Sequence, residues 1–490
     1  MEIKSKGNFI NGKWVESSSK DTFTSISPVN QELLWEGVSS TKDDVKNAIE
    51  SAKLAFKAWS KLTFEERINY LKKYIEVVEN NKEILAEYIS IEVGKPYWES
   101  LTEVNSVIGK LDPSIEAYNL RNKAINRNLN DGSKVVTKFK PHGVVGIIGP
   151  YNFPAHMPNG HIIAALLAGN TVVLKPSEKV PLVSEKVMEF WKEAGLPNGV
   201  INMVQGDKKV CEYLCQNEDV KGIFFTGSKK AGQAIEELCM HKKLCVLEMG
   251  GNSPYIVWDT SNIDSAVLTI IKSSFITSGQ RCSTARRLIL PKNSFGDKFI
   301  NRLVEVSKNI KVGKPHDDVF MGPLKSKELV DAIINRQEEL INNGAKILLE
   351  SKRLLDLGPS YITPGIIDVT NVKEKIDEEI IGPFIQVTRV DSFEDAIEKA
   401  NDSCYGLAAG IITEDKNLYN EFENRIEAGI ISWNKQLTGA SKYAPFGGIK
   451  DSGNYRPSGF LSADYCVYST SLMEIEKVQD IDKIPTGITL

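Results

Sequence analysis

The sequence predicts an α/β protein built on parallel sheets, and three observations carry that expectation. Between residues 143 and 251, short runs of apolar β-formers alternate with longer helical stretches. Such alternation is the pattern of right-handed β-α-β units, whose strands are buried on both faces. A similar texture resumes near residue 253 and runs to about residue 450. Finally, 490 residues exceed what one core usually supports, so two or three packed domains are expected.

Taken in order, "NFINGKWVES" reads as a hairpin turning at Asn11-Gly12, a strong turn dipeptide. From Thr41 the pattern is helical, with Val45, Ala48, Ile49, Ala52, Ala55 and Phe56 at helical spacing. Thr63 and Glu66 form a capping-box pattern that opens the next helix. "GVVGIIGP" (143–150) reads as a strand, "HIIAALLAGN" (161–170) as an apolar helix and "TVVLKPS" (171–177) as a buried strand. A helix to Ala194 follows, then strands at 199–206, 222–228 and 244–251 separated by helices. The second stretch has strands at 253–259, 286–291, 345–350 and 406–413. The segment 465–479 is strand-like with no helix after it, so it wants a partner: residues 135–139 or another subunit.

Composition narrows the function classes. Net charge is −4, charged residues make up 25% and hydrophobic residues 41%, with no basic stripe, so nucleic acid is not an expected partner. The N-terminus lacks a signal-peptide core, and no apolar run approaches the roughly 18 residues of a membrane span. A cytoplasmic protein with no membrane partner is the expectation. Seven cysteines at irregular spacing argue against a disulfide framework. Neither Cys211 with Cys215 nor Cys239 with His241 and Cys245 supplies four zinc ligands, so no metal is expected.

In an open parallel sheet, ligands bind beyond the carboxyl ends of the strands. Here those ends carry Pro150-Tyr151-Asn152, Lys175-Pro176-Ser177-Glu178, Thr226-Gly227-Ser228 and Glu248-Met249-Gly250-Gly251. Gly227 and Ser228 precede a helix with Gly232 in its first turns, and a helix N-terminus attracts anions, although no G-x-G-x-x-G motif is present. Glu248 ends an apolar strand, where a carboxyl has a raised pKa and can act as a base; a salt-bridged structural Glu is the alternative. Cys282, in "FITSGQRCST", follows Arg281. It reads either as a reactive thiolate favoured by that cation or as a small buried apolar residue.

The ordered series "PYNFP", "LLAGNTVVLKPSE", "FTGS", "LEMGGNSP", "GQRC", "EEIIGPF" and "PFGGIKDSG" resembles the NAD(P)-dependent aldehyde dehydrogenase family over essentially the whole chain. The resemblance implies that Cys282 is the nucleophile, that Asn152 and the Cys282 N–H hold the oxyanion, and that Glu248 activates the hydrolytic water. It places Gly227, Ser228 and the following helix, with Gly232, at the cofactor pyrophosphate. Lys175 and Glu178 fall at the adenine ribose hydroxyls and Glu379 at the nicotinamide ribose, with Ser177 and Gly250 as further cofactor contacts. A carboxylate at Glu178 repels a 2′-phosphate, which favours NAD over NADP. Ile381 stands where the family usually has an aromatic residue.

Segments 150–162, 429–441 and 452–466 resemble the branch that oxidises N-succinylglutamate 5-semialdehyde, an intermediate of arginine breakdown by the succinyltransferase route. Tyr151, His156, Arg281, Lys435 and Arg456 are the candidate substrate contacts, with Arg281 also expected to favour the Cys282 thiolate; Arg286, Arg287 and Asn434 lie nearby. Rival expectations are oxidation of succinate or glutamate semialdehyde, a structural relative without catalysis, and a nucleotide-binding regulator. The resemblance implies a Rossmann-like NAD-binding domain (1–123 and 143–250), a catalytic domain (251–463) and a small β flap for oligomerisation (124–142 and 464–490). A homodimer or homotetramer follows from the flap.

Overall fold

The computed structural model describes residues 3–239, 242–373, 376–478 and 484–489. The first seven-stranded sheet runs Leu244–Glu248, Val220–Thr226, Val144–Ile148, Thr171–Lys175, Ile201–Met203, Asn8–Ile10 and Lys13–Val15. Its first five strands are parallel, and the last two are an antiparallel hairpin. Asn11 and Gly12 both have positive φ, 51° and 77°, as a tight hairpin turn requires. Val144–Ile148 comes first in the chain among the parallel strands but sits between Val220–Thr226 and Thr171–Lys175. The connections therefore leave it in opposite directions, and a crevice opens at its carboxyl end.

The helices cover both faces. Lys42–Trp59 and Phe64–Asn80 each begin with a complete capping box, at Thr41 with Asp44 and at Thr63 with Glu66. The helix His156–Ala168 is apolar nearly all round and buried, and it ends at Gly169 in the left-handed conformation. It starts five residues earlier than its apolar run suggests. Pro158 is tolerated there because the first N–H groups of a helix lack an intrahelical acceptor.

The second seven-stranded sheet runs Lys346–Leu349, Gly365–Asp368, Phe384–Val390, Ala285–Pro291, Ser253–Val257, Ala408–Ile412 and Ile430–Trp433. All pairings are parallel except at the Lys346–Leu349 edge. Gly365–Asp368, Phe384–Val390 and Ile430–Trp433 were not anticipated, nor was the ribbon of Thr22–Ile26 with Leu33–Val38.

A three-stranded antiparallel sheet joins Ile125–Asn128, Lys134–Pro141 and Val467–Glu474. The terminal strand thus finds its partner within the chain. It begins two residues later than expected, because Ser462–Tyr465 is a helical turn, and residue 479, the end of the expected strand, lies outside the described residues.

Candidate active site

The carboxyl ends of the first sheet face the loop that precedes Ala285–Pro291, and the chemistry-bearing side chains meet there. Glu248, the last residue of Leu244–Glu248, is 3% exposed. Its Oε1 accepts the Ser458 N–H at 3.0 Å, while Oε2 has no hydrogen-bond partner among the described residues. Burial pushes its pKa up to about 8, against the opposing pull of Ser458. Glu248 is therefore not ion-paired, and one oxygen remains free to take a proton.

Cys282 follows a strained segment. Thr277 and Ser278 both have left-handed backbones, with φ 55° and 51°, and Gly279 has φ 70°. Glu99, on the helix Tyr97–Ile108, holds this segment by accepting the Thr277 N–H at 3.2 Å and bonding its hydroxyl. The Ser278 hydroxyl donates to the Gly322 carbonyl at 2.7 Å. Gly251 packs so closely on the Cys282 carbonyl that an added Cβ would lie 2.8 Å from that oxygen.

The surroundings of Cys282 correct the expectation that Arg281 keeps it ionised. Burial pushes the thiol up to about 12, the Glu379 and Glu248 carboxylates add to the rise, and the Ser283 N–H and Arg286 oppose it. Arg281 is taken up elsewhere, by Glu99 at 2.9 Å and the Thr277 hydroxyl at 2.6 Å, with its guanidinium over the Phe153 ring.

Asn152 donates its Nδ2 to the Gln280 carbonyl at 2.7 Å, which ties the first sheet's crevice to the cysteine loop and leaves a second amide hydrogen. Tyr151 donates to Gln280 Oε1 at 3.4 Å. The same oxygen accepts the Lys325 N–H.

The residues expected to hold a dinucleotide line the strand ends. Lys175 is buried at the end of Thr171–Lys175, and its Nζ lies 3.4 Å from the half-exposed Glu178 carboxylate. Ser177 accepts the Lys179 N–H. Gly227 donates to the Glu248 carbonyl, and Ser228 caps the helix Lys229–Cys239 through the Ala231 N–H. Gly232 packs on Met249, where an added Cβ would be 2.3 Å from sulfur. Glu379 is half-buried beside Gly250 and pairs with Arg286 at 3.2 Å. A cation–carboxylate pair, a helix N-terminus and a second carboxylate at one crevice fit a nucleotide with two ribose diols and a pyrophosphate. Ile381 is half-buried near this end.

The cationic candidates for the substrate separate sharply. Arg286 and Arg287 spend their guanidinium groups on backbone carbonyls, among them those of Gly251, Gly279, Asn252 and Ala400. Arg456 is exposed and donates to the Cys245 carbonyl in the edge strand. Lys435 is exposed, and Asn434 bonds both backbone groups of Thr413. His156 is held at its backbone N–H by Glu103 Oε1, and its Nδ1 is buried without a partner among the described residues. Burial and nearby cations push its pKa down to about 3, so the imidazole is neutral.

Glu99, Gln280 and Ser458 position the site, and sequence reading did not single them out. Glu99 and Glu103 stand four residues apart on one helix, a spacing that puts both carboxylates on one buried face. Among the described residues, no group of three or more His, Cys, Asp or Glu side chains is arranged to hold a metal ion. No described helix is long and apolar enough to cross a membrane.

A parallel-sheet crevice that presents a half-buried cysteine, a buried glutamate and a side-chain amide, beside groups suited to a dinucleotide, defines an oxidoreductase site of the aldehyde-oxidising kind. The aldehyde dehydrogenase family model matches residues 14–471, and the chain belongs to that family. It is 41% identical over 486 residues to the N-succinylglutamate 5-semialdehyde dehydrogenase of Hahella chejuensis, covering 98% of this chain and 99% of that one. It is 43% identical over 470 residues to the protein of the same name from Pseudomonas fluorescens, covering 95% and 96%. The NAD+ complex of a Bacillus cereus aldehyde dehydrogenase superposes with a TM-score of 0.91 at 30% identity, covering 96% of each chain.

Proposed function

We propose that this protein oxidises N-succinyl-L-glutamate 5-semialdehyde to N-succinyl-L-glutamate with NAD, in arginine breakdown by the succinyltransferase route. The observation that carries the chemistry is that the half-buried Cys282 thiol feels the Glu248 carboxylate, whose Oε2 has no partner among the described residues. The substrate reading is supported by the names of two relatives matched over nearly the whole chain.

In this reading Cys282 Sγ adds to the aldehyde carbon, and the thiol proton is lost to water as the C–S bond forms. The free hydrogen of Asn152 Nδ2 and the Cys282 N–H stabilise the oxyanion of the thiohemiacetal. Bound NAD supplies the hydride acceptor. Loss of hydride leaves a thioester on Cys282. Glu248 then removes a proton from water, hydroxide adds to the acyl carbon, and the Cys282 thiolate leaves with release of the carboxylate. Lys175 and Glu178 bind the adenine ribose hydroxyls, Ser228 and the start of Lys229–Cys239 the pyrophosphate, and Glu379 the second ribose. The exposed Glu178 carboxylate disfavours a 2′-phosphate, which is the basis for NAD over NADP. A cytoplasmic location fits this chemistry.

The test is absorbance of reduced cofactor with N-succinylglutamate, succinate and glutamate semialdehydes, each with NAD and NADP. The reading expects a large preference for the first aldehyde and for NAD. Equal or better use of a smaller semialdehyde would remove the substrate assignment and leave an aldehyde dehydrogenase of another specificity.

A further inference from the structure

Lys110 is a buried lysine that the mechanism above does not use. It is 9% exposed, at the turn between the helices Tyr97–Ile108 and Leu111–Arg121. Among the described residues its ammonium has no ion-pair or hydrogen-bond partner; its only bonds are through its backbone and carbonyl. An ammonium without a counter-ion on a side chain this little exposed is costly.

The side chain is nevertheless given room. It lies across Gly160 on the helix His156–Ala168, where an added Cβ would stand 3.3 Å from Lys110 Cε and 3.7 Å from Nζ. His156 sits one turn earlier on the same face as Gly160, with its Nδ1 also buried and unpartnered. The cations that bear on His156 are Lys110, Lys95 and Arg281. Lys95 is paired with Glu103 at 2.5 Å and Arg281 with Glu99 at 2.9 Å. One uncompensated positive charge remains, on Lys110. Four residues before His156 lies Asn152, whose amide is bonded to the Gln280 carbonyl in the cysteine loop, so the helix that carries His156 and Gly160 follows directly on the site.

We propose that Lys110, with His156 beside it, is the anion subsite that receives a carboxylate of the substrate. The ammonium donates to a carboxylate oxygen, and the neutral imidazole donates from Nδ1 when that nitrogen carries the proton. Lys110 is thus a specificity-determining residue for carboxylated aldehydes. This rests on the substrate reading above in one respect only: the aldehyde carries a carboxylate.

The experiment compares kcat/KM for N-succinylglutamate semialdehyde with that for hexanal, an uncharged aldehyde, in wild type, K110M and K110R. Met keeps the stem that packs on Gly160 and removes the charge. The ratio of carboxylated to uncharged activity is expected to fall roughly 10- to 100-fold in K110M, mostly through KM, the range of a lost charge-assisted hydrogen bond. K110R should recover part of the loss. Thermal unfolding of K110M should be no lower than that of wild type, because an unpaired buried charge has been removed; a structural lysine would give the opposite shift. A K110M ratio within twofold of wild type overturns the inference, and if K110M does not fold, K110Q carries the same comparison. Should wild type prefer another carboxylated aldehyde, the substrate reading fails alone and the ratio is measured on that aldehyde. Should wild type prefer hexanal, both fail.

Discussion

Desolvation raises the cost of ionising both Glu248 and Cys282, and the Glu248 carboxylate adds to that cost at Cys282. The pH dependence follows from the sign of the Glu248 shift. Its pKa is raised to about 8, so below that value the carboxyl is protonated and cannot accept a proton from water. Turnover is expected to climb about tenfold per pH unit below that point and to level off above it, as for any single base. Glu248→Gln should abolish that limb and lower kcat about 100-fold or more, the usual worth of a general base. Acyl-Cys282 should then be detectable by mass spectrometry of the quenched enzyme; a Gln variant with the wild-type pH profile would remove Glu248 from the role. Glu178 makes a second residue-scale prediction. Glu178→Ala takes away a carboxylate that repels a 2′-phosphate, and the NADP-to-NAD ratio of kcat/KM should rise at least roughly tenfold. No change in that ratio would mean that cofactor choice is set elsewhere.

At the scale of elements, the cysteine loop stores strain that its neighbours hold. Non-glycine residues with left-handed backbones cost about 1–3 kcal/mol each, and Thr277 and Ser278 are two in succession. Glu99 holds them and also neutralises Arg281, with both side chains largely buried. Glu99→Ala would leave a buried guanidinium unpaired and the Thr277 N–H without its acceptor. Urea unfolding should show a loss of about 3–5 kcal/mol, with kcat reduced in the fraction that remains folded. A loss under about 1 kcal/mol would show that the loop holds itself. This element also marks what could be read in advance. The strands of the first sheet are continuous apolar runs closed by Gly, Pro or polar residues, and both capping and turn signals are local, so their positions were legible. Cys282, Glu248 and Asn152 were legible only as an ordered set of segments. Glu99, Lys110 and the taking up of Arg281 were not, because a carboxylate on a helix gains its meaning from a loop nearly 180 residues away. The strands Gly365–Asp368 and Phe384–Val390 were missed for a related reason: they gain definition from pairing with each other and with Ala285–Pro291.

For the whole molecule, the open question is assembly, and the three-stranded sheet bears on it. Val467–Glu474 pairs with Lys134–Pro141 along all eight of its residues, but its other edge is unpaired among the described residues. An open edge of that length is a template for another strand, and natural proteins seldom leave one uncovered. The region is also apolar on its exposed surface: Tyr468, Met473, Ile475 and Ile125 are all exposed, Met473 at 78%. We propose that this sheet joins subunits of a homodimer or homotetramer. Light scattering of the purified protein should then give a mass of at least twice the 54.4 kDa of one chain. Met473→Asp would place a carboxylate on the most exposed apolar side chain of that strand. It should shift the mass toward the monomer while N-terminal residues, Cys282 and the NAD crevice stay folded as judged by NAD binding. A wild-type mass of one chain would remove the proposal. An assembly unaffected by Met473→Asp would move the interface to another face, and the exposed apolar side chains of this sheet would need a different occupant.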